Sequence, residues 1–193
     1  MKLLHLMPAR KAGPLQSWSD EALMQAYQKG QAEAFDVLYS RHRARLYRYL
    51  IRLTGHQEES LNELFQDIWL KLINARDRYQ PSAKFTTYLY RITYNHLIDY
   101  WRSRKIVNEP LADEVSDTSE LPEQHLQQQQ QQLQLKQLIT ALPEQQRTAF
   151  LLQQEAALSL EQIAEITGVN RETVKSRLRY AMKRLREAVL ESP

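Results

Sequence analysis

Apolar residues recur along most of this chain at the three-and-four spacing of helices buried on one side, and capping or breaking residues punctuate the pattern. Ser19 and Asp20 can cap a helix that carries Leu23, Met24 and Tyr27 and ends near Gly30. A second helix is predicted from Ala32 to Thr54, with Phe35, Leu38, Tyr39, Leu46, Leu50 and Leu53 at helical spacing and Gly55 as its stop. A third, from about Glu58 to Asn74, turns Leu61, Leu64, Phe65, Ile68, Trp69 and Leu72 inward and leaves Glu59, Asn62, Glu63, Gln66 and Asp67 largely outward. After a loop marked by Pro81 and Ser82, a fourth helix reaches about Lys105, with Leu89, Ile92, Thr93, His96 and Tyr100 along one stripe.

At Ile106 the periodicity breaks. From there to His125 the chain holds Glu109, Asp113, Glu114, Asp117, Glu120 and Glu123 with no Lys or Arg, and Pro110 and Pro122 disfavour a helix. This stretch reads as an acidic linker. A run of Gln from Gln127 to Gln132 leads into Leu133, Leu135, Leu138 and Ile139 at helical spacing, and is read as helical surface rather than as an aggregation-prone tract. Pro143 then starts a helix with Phe150, Leu151 and Leu152 inward.

The last segment carries the densest signals. Ser159 and Gln162 have capping-box spacing, Gly168 suits a left-handed helix end, and Asn170 can cap the next helix. Two helices joined by three residues, with small Ala164 at their crossing, form a helix-turn-helix pattern. On the second of them Val174, Leu178, Ala181, Met182 and Leu185 fall on one arc, and Glu172, Lys175, Ser176, Arg179, Lys183 and Arg186 on the other. Thr173 and Tyr180 edge that outer arc, and Arg177 and Arg184 flank it. Seven Lys or Arg against the single acid Glu172 between Arg171 and Arg186 suit a phosphate-lined groove.

Composition narrows the classes. The 193 residues allow one domain or two small ones, and 42% apolar content suffices for a core. Net charge is only +3, so the basic character is local. Zero Cys excludes disulfides and Cys-ligated metal sites and fits a reducing, cytoplasmic setting. No apolar run approaches a membrane span, and the interrupted apolar start at Met1–Pro8 is not read as a signal peptide. Residues 1–18 read as a basic, mostly disordered extension.

Two surfaces stay open between readings. The basic cluster Arg41, Arg43, Arg45, Arg48 and Arg52 reads as a solvated face, and the acidic outer face of the third helix as ordinary surface or as a docking face for a basic protein. The fourth helix mixes Phe85, Tyr88, Tyr90, Tyr94, Tyr100 and Trp101 with Lys84, Arg91, Arg102, Arg104 and Lys105. Such rings can stack on unpaired bases while cations follow the backbone, but some of them must be core. His96 falls on the inner stripe and reads as packed rather than as a ligand.

Three motifs together resemble one family, the extracytoplasmic-function sigma factors of bacterial RNA polymerase, over nearly everything from Ser19 to Val189. Leu64–Leu72 (LFQDIWLKL) resembles the polymerase-binding segment, Phe85–Asp99 (FTTYLYRITYNHLID) the promoter-melting segment, and Leu142–Arg147 (LPEQQR) precedes the helix-turn-helix as in the family. The resemblance implies an all-α fold of two small helical domains joined by the acidic linker: a disordered extension at 1–18, a region 2 domain at 19–105, the linker at 106–125 and a region 4 helix-turn-helix domain at 126–190. It implies a non-catalytic initiation subunit without cofactor or metal. The implied partners are core RNA polymerase, promoter DNA both double-stranded and melted, and an anti-sigma factor, with no membrane insertion.

By the same resemblance Asn62, Glu63, Gln66 and Asp67 dock on a basic coiled coil of the polymerase clamp. The loop from Arg78 to Lys84 receives a base flipped from the downstream (-10) element, with Tyr88, Arg91, Asn95, Asp99 and Arg102 serving pocket and strand. Lys175, Ser176, Arg179, Tyr180 and Thr173 read the upstream (-35) element, and Arg171 and Arg177 contact phosphate. Tyr88 stands where many members carry Trp, and Arg179 and Tyr180 differ from commoner choices, so no promoter sequence is transferred.

The linker meets a length test. Nineteen residues from Val107 to His125 span at most about 65 Å extended but average about 24 Å as a coil. A family spacer of about 17 base pairs covers roughly 58 Å. The linker is therefore expected to run nearly extended through a basic polymerase channel. A free-standing helix-turn-helix regulator would explain Ser159–Arg186 but leave the 64–72 and 85–102 patterns idle, and a structural adaptor predicts no salt-dependent DNA affinity.

Overall fold

The computed structural model describes residues 14–54, 58–81, 84–107 and 134–190, and all regular structure among them is helical. The helices are α1 (Asp20–Gln28), α2 (Ala32–Thr54), α3 (Glu58–Asn74), α4 (Phe85–Val107), α5 (134–140), α6 (Glu144–Gln154), α7 (Leu160–Thr167) and α8 (Arg171–Leu190). Most of the acidic stretch and the Gln tract lie outside the described residues.

In the first group α1 and α3 pack on α2, and α4 packs on α1 and α3. Leu38, Leu46, Leu50 and Leu53 of α2 meet Leu61, Leu64, Ile68 and Leu72 of α3 in one core. An aromatic seam fills the α1–α2–α3 junction: Phe35 lies 5.1 Å from Tyr27 and 5.8 Å from Trp69, and Tyr39 lies 4.9 Å from Trp69, centroid to centroid. Tilted and edge-on pairs of this kind add about 0.5–1.5 kcal/mol each beyond their buried area. The local rules act at the entry to α1, where the Ser19 hydroxyl accepts from the Ala22 amide at 3.2 Å.

Two connections are held by side chains from distant helices. The Gln28 amide donates to the carbonyl oxygens of Arg76 and Tyr79, at 2.8 and 2.9 Å, and so fastens the turn between α3 and α4 to α1. At the start of α4 the Phe85 amide donates to Glu21 Oε1 at 3.1 Å, so a carboxylate of α1 caps α4.

Residues 14–18 correct the expected free extension. Pro14–Ser17 form a 3-10 turn, and Leu15 packs on the core. The Arg41 guanidinium donates to the carbonyls of Gln16 and Trp18 and to Asp20, at 2.6, 2.9 and 2.6 Å. Arg41 thereby leaves the supposed solvated basic face. A backbone segment without internal partners needs such donors to sit on a helix.

The second group is α5 to α8, with α6 and α7 both packed on α8. Its core is Ile139, Leu151, Leu152, Ile163, Ile166, Val174 and Leu178. The two groups touch, α4 lying on α7 and α2 on α6, and their buried residues form one continuous cluster. Arg48 and Arg52, still 55% and 41% exposed, reach Glu155 at this seam, 3.4 and 2.5 Å away, so two arginines of the solvated α2 face also carry an ion pair to the second group.

Candidate nucleic-acid interface

The helix-turn-helix is built by its caps. Ser159 Oγ accepts from the Gln162 amide at 3.3 Å while the Ser159 amide donates to Gln162 Oε1 at 3.0 Å, completing the capping box. Gly168 closes α7 at φ 68°, a left-handed angle at which a Cβ is strained even though nothing crowds the site. Asn170 Oδ1 accepts from the Thr173 amide at 2.7 Å and opens α8. Three residues thus rotate α8 so that Val174, Leu178 and Ala181 are buried.

The opposite face of α8 presents Arg171, Lys175, Arg179 and Tyr180 to solvent, with Thr173, Ser176 and Arg177 half-buried. Arg179 stacks over the Tyr180 ring at 5.1 Å, which keeps a planar donor fork beside an aromatic face. Arg171 is tied to α7 through Glu161 at 2.6 Å, and hydrogen bonding to that carboxylate raises the guanidinium pKa further. Arg177 donates to Gln145 Oε1 of α6 at 2.7 Å and is braced against the domain. Met182, expected inside, is 46% exposed. Leu185, one turn further on, is half-buried against the core, so the packed arc past Ala181 is narrower than the wheel implies.

On α3, Asn62, Glu63, Gln66 and Asp67 are all exposed. Leu70, 54% exposed, continues their row at helical spacing and was not singled out from the sequence. Its position one step off the inward stripe was the available signal. Asn62 accepts from the Tyr47 hydroxyl at 3.2 Å, and Asp67 lies 3.6 Å from His96 Nε2 of α4. Burial and the nearby Lys71 lower the His96 pKa, in keeping with a packed, neutral imidazole.

On α4, an open groove of about 540 Å³ is lined by Tyr94, Asn95, Ile98, Asp99 and Arg102. Asn95, Asp99 and Arg102 were expected there; Tyr94 and Ile98 add an aromatic and an apolar wall. Lys84 and Arg78 are exposed at the preceding loop, whose residues 82–83 lie outside the described set. Tyr88 is not on this surface. It is 6% exposed, and its hydroxyl donates to the Ala75 carbonyl at 2.7 Å, so it supports the loop from beneath. Arg91 is exposed and pairs with Glu165 of α7 at 3.6 Å.

Among the described residues no group of three or more His, Cys, Asp or Glu could hold a metal, and no helix is long and apolar enough to cross a membrane. The geometry is that of a two-part nucleic-acid binding protein: a helix-turn-helix with a basic outer face, and a helical body with an aromatic and polar groove.

Comparison with known proteins agrees. Residues 38–106 match the family described as Sigma-70 region 2, and residues 132–185 match Sigma-70, region 4. The chain is 30% identical over 181 residues to the ECF RNA polymerase sigma factor SigM of Mycobacterium tuberculosis, covering 92% of this chain and 88% of that one. It is 32% identical over 158 residues to SigE of Mycolicibacterium smegmatis, covering 80% of this chain and 61% of that longer protein. Among solved structures it superimposes on CnrH in complex with the cytosolic domain of CnrY with a TM-score of 0.69 at 21% identity, covering 90% of this chain and 99% of CnrH. It superimposes on the sigma factor RpoE in complex with the anti-sigma factor NepR from Bartonella quintana at 0.65 and 22%, covering 82% and 98%. The chain belongs to the ECF RNA polymerase sigma factors, transcription-initiation subunits with no catalytic chemistry of their own.

Proposed function

We propose that this sigma factor acts in the cytoplasm and divides its work among three faces. Asn62, Glu63, Gln66 and Asp67, with Leu70, dock on core polymerase. The α4 groove and the Arg78–Lys84 loop capture bases of the melted -10 strand, with Arg91, Asn95, Asp99 and Arg102 holding it. Arg171, Lys175, Arg179 and Tyr180 read the -35 duplex, with Thr173, Ser176 and Arg177 in support. The domain division at 19–105, 106–125 and 126–190 belongs to the same reading.

One observation carries it: α8 buries Val174, Leu178 and Ala181 on one arc and presents a cationic, aromatic opposite arc, while α4 presents a separate groove on the other helical group. Melting needs no chemistry, because capture of unstacked bases offsets the cost of unpairing. The acidic linker, with its six carboxylates, would follow a basic channel of the enzyme. Two relatives were solved with bound partners, one of them an anti-sigma factor, and an inhibitor of that kind is the expected regulatory partner here. Run-off transcription with purified core polymerase tests the reading. New promoter-dependent start sites on adding the factor support it, and their absence removes it.

A further inference from the structure

We infer that Trp18 is a stacking platform for an unpaired base of the melted strand, set just beyond the Arg78–Lys84 loop and held in place by Arg41. This role presupposes the -10 reading of α4 proposed above.

The ring is exposed while the backbone that carries it is fixed. Trp18 is 42% exposed, whereas Trp69 is buried and Trp101 half-buried. Its amide donates to the Leu15 carbonyl at 3.2 Å, and its own carbonyl accepts from Arg41 Nη1 at 2.9 Å. Arg41 Nη2 donates to the Gln16 carbonyl at 2.6 Å, and Leu15 packs on the core. An aromatic group whose backbone is fixed before binding loses little freedom when a flat partner covers it.

Trp18 stands at the edge of the -10 surface. Glu21, three residues further along the chain, accepts from the Phe85 amide at the first turn of α4. Asp20 Oδ2 lies 2.7 Å from His42 Nε2, and the His42 ring lies 5.1 Å from that of Phe85. Three residues of chain span at most about 11 Å, so Trp18 lies close to the N-terminal end of α4. Lys84, which precedes Phe85, is exposed, as is Arg78. The groove at Asn95–Arg102 lies further along α4, and about 25 Å of helix separates Phe85 from Arg102. A single strand that leaves this groove and passes the loop therefore meets Trp18 next.

A structural role accounts for only part of the ring. Trp18 precedes the Ser19 cap, and Leu23, four residues past that cap, is fully buried, which is the spacing of a hydrophobic staple. A staple uses the covered side of the side chain, and leucine would supply it. Stacking uses a flat π-face left open to solvent beside cations, which any base can meet and leucine lacks.

The test binds holoenzyme to fork-junction DNA carrying the -10 element of a promoter found by run-off transcription. In a short fork the unpaired strand ends with the element, and in a long fork it continues for several nucleotides. The wild type is expected to bind the long fork about tenfold more tightly than the short one. Trp18→Leu is expected to lose that gain while binding core polymerase and the short fork as the wild type does, and Trp18→Phe to keep most of it. Arg41→Gln, which frees the backbone beneath the ring, is expected to give an intermediate gain. Abasic sites placed one at a time in the extension test the same contact without altering the protein, and one position is expected to abolish the wild-type gain. No gain in the wild type, a full gain in W18L, equal weakening of both forks or of core binding by W18L, or no sensitive abasic position overturns the platform. If short-fork binding still depends on the -10 sequence and on Asn95, only the role of Trp18 falls. If wild-type holoenzyme shows no -10 preference on either fork, the -10 reading falls and takes the platform with it.

Discussion

The side chain of Gln162 joins Ser159 to Thr87: its Oε1 accepts from the Ser159 amide at 3.0 Å, and its Nε2 donates to the Thr87 hydroxyl at 2.8 Å. One amide thus finishes a local cap and ties that cap to a helix 75 residues away. Ser159→Ala removes the reciprocal bond, in which Ser159 Oγ accepts from the Gln162 amide at 3.3 Å, and is expected to cost about 1 kcal/mol in urea unfolding. Gln162→Glu keeps an acceptor for Ser159 but loses the donor to Thr87, so α7 helicity is expected to persist while the amide protection of α4 at the seam falls in hydrogen exchange.

Asp20 should make stability acid-sensitive. Burial alone would raise its pKa, but hydrogen bonds from His42 and Arg41 outweigh that and hold it below the ordinary value. A carboxyl depressed in the folded state stabilises fully above its unfolded pKa of about 3.9, and that contribution fades as pH falls through the folded value. Urea midpoints of the wild type are expected to fall from about pH 4 downward more steeply than those of Asp20→Asn. Parallel curves would show that Asp20 carries no linkage.

Tyr88 offers a clean division between support and stacking. Its hydroxyl is spent on the Ala75 carbonyl and its ring is buried. Tyr88→Phe is expected to lose about 1 kcal/mol of stability and to open promoters as the wild type does in permanganate footprinting. A large opening defect with unchanged stability would place the hydroxyl in the strand path.

The two reading faces should fail separately. Lys175→Ala and Arg179→Ala are expected to weaken upstream-element binding, and loss of a phosphate contact reduces the salt slope by about one. Asn95→Ala is expected to leave that binding intact while impairing strand opening. Gel-shift titration over salt, paired with footprinting, reads both.

Ala157 sits at φ 53° between α6 and α7, the only described non-glycine residue with positive φ. A Cβ in the left-handed region costs about 1 kcal/mol, partly offset by the greater freedom of glycine in the unfolded chain. Ala157→Gly is accordingly expected to raise the urea midpoint slightly and Ala157→Val to lower it clearly.

Much of the architecture was legible in local pattern. The helices α2 and α3 run over the residues that the apolar periodicity set, Ala32–Thr54 and Glu58–Asn74, and the inward stripe of α3 is buried except for half-exposed Phe65. The capping box at Ser159 and the left-handed turn at Gly168 follow from residue type alone, because short-range hydrogen bonds and φ preferences need no partner from elsewhere. The α8 wheel failed at Met182 for a complementary reason: periodicity says which residues share an arc, but not how wide a part of that arc the neighbouring helices cover, and Leu185 further along still packs on the core.

The sequence alone therefore determined the helices, their caps and the charge of their faces, all of which are properties of contacts within about four residues. Only the tertiary structure decided that Glu21 caps α4, that Gln28 and Arg41 fasten connecting segments, and that Arg48 and Arg52 meet Glu155 across the seam. Such partners lie tens of residues apart, and an unpaired arginine and an ion-paired one have the same sequence signature. What separates them is which surface the folded chain brings within a few ångströms, and that is set by the packing of whole helices.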